Sequence, residues 1–116
     1  MIPEQVRVVE QLAACARELD HLSREVAGLD MAHVEALADY RTAYARAFLI
    51  ADGSVEERKQ KAILVAEDER FQADVAEQKV RACRDRIRAL RDRLEVGRSL
   101  NAAVRTQFTT EAVGQP

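Results

Sequence analysis

Glu18-Leu19-Asp20-His21 carries a Glu-x-x-His spacing. Di-iron helical bundles use that spacing to bring a carboxylate and an imidazole onto one helix face. Asp30 and His33 repeat the theme loosely. One ion would need both imidazoles to converge. Twelve helical residues instead set them ~18 Å apart and about 120° around the axis. With the chain folded back near residue 53, the position facing His21 is Arg86, whose charge repels a cation. No metal and no cofactor are therefore expected. His33 reads as a polar residue tolerated within an apolar seam, near Asp74.

Cys15 and Cys83 lack CxxC spacing, and their expected neighbours across the fold are aliphatic or Arg rather than a general base. In the folded-back register the partner position of Cys15 lies ~13 Å along the helix from Cys83, far beyond disulfide reach. No Ser/His/Asp set, Gly-rich phosphate loop or pair of buried acids occurs, so the sequence points away from an enzyme. The residues that could still do chemistry are Arg84, Arg91, Arg98 and Arg105, spaced by seven. Such a row can meet the acids of another copy or an external anion such as a phosphate backbone.

These residues need long helices to position them. From Val8 an apolar series runs through Leu12, Cys15, Leu19, Leu22, Val26, Leu29, His33, Ala36, Tyr40, Ala43, Ala47 and Ile50. Its steps alternate four and three, a heptad seam. A second seam runs Val80, Cys83, Ile87, Leu90, Leu94, Gly97, Asn101, Val104 and Phe108, preceded by Ala62, Ala66, Ala73 and Ala76. Small residues there allow close backbone approach near the bend. Asn101, at a seam position, is of the kind that pins coiled-coil register.

Between the seams lies "ADGSVEE". Gly53 can take the left-handed conformation that ends a helix. Ser54 and Glu57 have capping-box spacing, and the acids at 56 and 57 suit a helix N-terminus. The spacing predicts a helix over 3–51, a turn at 52–54, a helix over 55–110 and a frayed tail at 111–116. Together these form one antiparallel two-helix hairpin domain, with each helix roughly 70–85 Å long. Calcium-loop oxygen spacing is absent from the turn.

The chain is 33% charged and 47% hydrophobic, with no Trp and a net charge of −2. That balance suits packed helices better than a thick core, and it creates no overall attraction to nucleic acid or membrane. The charge is distributed unevenly. Residues 1–40 hold eight acids against three Arg, whereas residues 79–105 hold nine bases against three acids. With Leu12 and Val80 at a positions, the g rows become Glu4, Gln11, Glu18, Glu25, Ala32 and Asp39 on one helix, and Lys79, Arg86, Arg93, Leu100 and Gln107 on the other, basic over its first three heptads. Antiparallel pairing sets g beside g, so acids face bases and fix the orientation. Each exposed pair contributes ~0.2–1 kcal/mol. The e rows match less well: the four Arg lie beside Val9, Ala16, Ser23, Asp30, Leu37 and Tyr44, which leaves that row nearly unanswered.

Phe48-Leu49-Ile50 and Ile63-Leu64-Val65 are apolar at consecutive positions. Consecutive helical residues lie about 100° apart, so one partner helix cannot cover all three. Leu37, Tyr44, Phe48, Leu49, Ile63 and Leu64 are therefore the expected interface between copies, most simply in a four-helix or larger bundle. No segment is apolar enough to span a bilayer, and no signal-peptide pattern opens the chain. A cytoplasmic protein with reduced thiols is expected.

"YRTAYARAFLIADGSVEERKQKA" followed by "RIRALRDRLEVGRSLNAAVRTQF" resembles a group of small helical-hairpin proteins of tailed phages and prophages, notably those of actinobacteria. The likeness covers about residues 37–108 and rests on an Ala-rich helix, an acidic-Gly turn, a basic helix and an Arg-Ser-Leu-Asn closing motif. It implies a phage accessory protein in the host cytoplasm with a host or phage protein partner. No catalytic residues carry over. Phage genomes often place such proteins among replication and recombination genes, which makes accessory nucleic-acid binding through the Arg row the second reading.

Overall fold

In the computed structural model residues 4–114 are described, with the backbone alone given for Phe108 and residues 110–114. The protein is all-α: helices α1 (Glu4–Ile50), α2 (Val55–Val65) and α3 (Glu67–Gly114) follow one another, with no strand among the described residues. α1 holds for 47 residues because no proline interrupts its three-four stepping. Its single interior glycine, Gly28, is exposed.

The turn follows from local chemistry. Gly53 adopts φ +113°, a region open to glycine at little cost. Ser54 is the N-cap of α2, its hydroxyl accepting from the Glu57 amide at 3.2 Å. The Glu57 carboxylate lies where a Cβ on residue 53 would sit. Side chains from beyond the turn meet one carbonyl in the last turn of α1 and one just past its end. Arg58 donates to the Phe48 carbonyl through Nε (3.2 Å) and Nη2 (3.0 Å), and Lys61 donates to the Asp52 carbonyl at 2.8 Å. Basic groups at a helix C-terminus also oppose its dipole.

Three boundaries differ from those the sequence predicts. Ala51 leaves the helix, although its amide still donates to Ala47 at 3.0 Å. The helix expected to run unbroken over 55–110 is interrupted at Ala66 (φ −95°, ψ 16°). The break directly follows Ile63-Leu64-Val65, where two β-branched residues lower helix preference. One backbone bond ends at the break, from the Ala66 amide to the Ala62 carbonyl, and another starts there, from the Arg70 amide to the Ala66 carbonyl, both at 3.0 Å. Finally, α3 continues to Gly114, into the segment expected to fray. Glu111 and Ala112 favour helix there. Residues 115–116 of that tail, and residue 3, lie outside the described residues.

Instead of one packed body, the contacts form two units. The first is Arg24–Arg84, which contains the turn. Here α1 and the α2–α3 arm run antiparallel, with Phe48 meeting Arg58, Tyr40 meeting Arg70, and Asp30 meeting Arg84. Ala62, Ala66, Ala73, Val80 and Cys83 are buried on one arm, and Leu29, His33, Ala36, Tyr40 and Ala47 are half-buried on the other. Alanines leave little side chain between the helices, so the backbones pack closely. The second unit joins α1 as far as Ser23 to α3 from Asp85. Cys15, Ile87 and Leu90 are its core, with Leu90 fully buried. Gly97 is buried too, and a Cβ there would collide with Leu12.

The seam of this second unit does not stay closed along its predicted length. Val8, Asn101 and Val104 are exposed. Two helices alone cover each other along one stripe. Phe108, the last predicted seam residue, has no described side chain.

Candidate interaction surface

Among the described residues no group of three or more His, Cys, Asp or Glu side chains could hold a metal ion. His21 is exposed and His33 half-buried. Cys15 and Cys83 are not joined in a disulfide, and each is buried, in a different unit. Cys15 accepts a long contact, 4.0 Å, from Arg93 Nη1.

The charge rows divide by unit. In the second unit Arg86 donates from Nε and Nη2 to the two Glu18 oxygens at 2.8 and 3.0 Å, a fork-on-fork pair. That hydrogen bond holds the Glu18 carboxyl below its ordinary carboxylate value, with Arg93 adding a weaker pull, and it raises Arg86 in turn. Glu18 and Arg86 are both g positions of the sequence heptads.

The e row needs correcting. Arg84 is not unanswered: its Nη2 donates to Asp30 Oδ2 at 2.7 Å inside the first unit. Asp30 is the one acid of its own row, and the long guanidinium side chain reaches it. Arg91, Arg98 and Arg105 remain exposed, all in the second unit. The four Arg are thus divided between units, and three of them carry the exposed row.

The turn-bearing unit holds the expected interface residues in two environments. Leu37, Tyr44 and Phe48 are half-buried, while Leu49 (75%), Ile63 (45%) and Leu64 (71%) are exposed, as is Ile50 at 82%. Ala47, Ile50, Leu64, Val65 and the stem of Lys61 line a shallow apolar groove across α1 and α2. A second, almost wholly apolar groove lies on α3 along Phe71, Val75, Gln78 and Ala82.

One feature escapes a heptad reading. Tyr40, Tyr44 and Phe48 stack along α1, with ring centroids 6.3 and 6.5 Å apart. Arg58 closes one end 4.3 Å from the Phe48 ring, and Arg70 stands 5.7 Å from Tyr40 at the other. The i, i+4 spacing of the three rings was the available signal. Their capping by Arg depends on the turn.

No helix among the described residues is long and apolar enough to cross a membrane. Compared with protein-family models, with curated proteins and with solved structures, the chain matches none.

Proposed function

We propose that this chain is a non-catalytic interaction module, a helical hairpin that self-associates through its turn-bearing unit and presents a surface to a protein partner. The observation that carries this reading is the exposure of Leu49, Ile50 and Leu64 beside one continuous groove. Large apolar side chains clustered on one surface mark an interaction site. Assembly into a four-helix or larger bundle would cover them. The likeness to hairpin proteins of tailed phages supports a phage accessory role in a host cytoplasm, with a host or phage protein as partner. Light scattering on the full chain at tens of micromolar tests the first half, and a monomer under those conditions contradicts it.

A second reading, accessory nucleic-acid binding, draws on the exposed Arg91, Arg98 and Arg105. It predicts a salt-dependent mobility shift of single- or double-stranded DNA that disappears when these Arg become Gln. Against it stand the net charge of −2 and the scarcity of aromatic residues for base stacking.

A further inference from the structure

Both arms of the turn-bearing unit carry a second stripe, separate from the seam that closes the hairpin. On α1 it is Ala27, Met31, Val34, Ala38, Arg41 and Ala45, all exposed. On the α2–α3 arm it is Leu64, Asp68, Phe71, Val75, Gln78 and Ala82, exposed except for half-buried Val75. Each advances by four, three, four, three and four residues. The α2–α3 stripe passes the break at Ala66; Ala62, Ala66, Ala73 and Val80 stay buried through it, so the faces keep their order on either side. Each lies about 150° around its helix from the intrachain seam. The chain's own core cannot bury it.

Laid antiparallel, the two stripes fit residue by residue. Arg41 faces Asp68, and in that single register Ala45 faces Leu64, Ala38 faces Phe71, Val34 faces Val75, Met31 faces Gln78 and Ala27 faces Ala82. The one cation meets the one anion. The two largest exposed side chains of the α2–α3 stripe, Leu64 and Phe71, each meet an alanine.

We infer that the occupant of the α1 stripe is the α2–α3 stripe of a second copy of this chain, held in register by Arg41–Asp68. This rests on the self-association proposed above and names its geometry. The contact is heterologous, unlike faces meeting, as distinct from an α1-to-α1 contact in which Arg41 would find no acid. Exposed ion pairs add little affinity, but reversing one sets like charges against each other and selects against the pairing.

Charge exchange between copies is the test. Arg41→Asp makes one full-length variant, and Asp68→Arg makes another. By sedimentation velocity each alone is expected to need at least about tenfold more protein than wild type to associate. An equimolar mixture, and the chain carrying both changes, should return to wild-type behaviour. Arg46→Asp changes net charge as Arg41→Asp does, at an exposed position off the stripe, and should associate as wild type does. Circular dichroism verifies that each variant keeps its helix content. If wild type associates but the reversed variants associate equally well, or the mixture fails to recover, the register is wrong while self-association stands. A wild type that stays monomeric removes both.

Discussion

Arg86 grips both oxygens of Glu18, 68 positions apart in the chain, through two nitrogens at 2.8 and 3.0 Å. This is the acid-against-base pairing of g positions that an antiparallel coiled coil uses to choose its orientation. It has a pH signature. The pair lowers the Glu18 pKa in the folded state, so its contribution is fully present above the ordinary carboxylate range. It is lost as pH falls through the lowered folded value. Thermal melts of wild type and Glu18→Gln should differ at neutral pH, with the variant melting lower, and the two should converge in acid. A difference that persists unchanged at the acid end would place the variant's effect elsewhere.

The turn should be sensitive to single substitutions. Gly53→Ala forces a side chain into a left-handed backbone and against the Glu57 carboxylate, and should cost about 1–2 kcal/mol. Ser54→Ala removes the hydroxyl acceptor of the Glu57 amide and should cost ~0.5–2 kcal/mol. Urea melts of each variant measure both effects.

Core and surface leucines should separate cleanly. Leu90 is fully buried in its unit, whereas Leu100 is exposed. Leu90→Ala should destabilise by about 2–5 kcal/mol, and Leu100→Ala should stay within about 0.5 kcal/mol of wild type. The same denaturant melts decide it, and equal effects would show that α3 packs otherwise.

How much of this was legible in sequence depends on whether a feature is local. The three-four stepping, the left-handed glycine at 53 and the Ser54–Glu57 cap are each set by a few neighbouring residues, so they can be read directly. The facing of Glu18 and Arg86 follows once the turn is placed. The Arg84–Asp30 pair was missed because the e row was judged by its average composition, in which a single Asp among apolar residues looks too sparse. Arg58 and Lys61 look like ordinary surface bases in sequence. Only the fold-back brings them onto the carbonyls of Phe48 and Asp52. The break at Ala66 falls inside an uninterrupted three-four seam, where periodicity gives no sign of it, and the opening of the seam around Asn101 depends on tertiary cover, which periodicity does not report.

The exposed Arg row should separate the two functional readings. Changing Arg91, Arg98 and Arg105 to Gln leaves the Arg84–Asp30 pair in place, so helix content should hold. Under the interaction-module reading, a low-salt mobility assay shows no DNA shift for either wild type or variant. A wild-type shift that the variant loses would favour the nucleic-acid reading.

Sedimentation equilibrium on wild type beside Leu49→Ser with Leu64→Ser tests the central claim most directly. The account predicts a wild-type mass rising above the 13.0 kDa monomer at tens of micromolar, and a doubly substituted chain that stays monomeric with its helix content intact. Equal masses for the two, at every concentration, would contradict it.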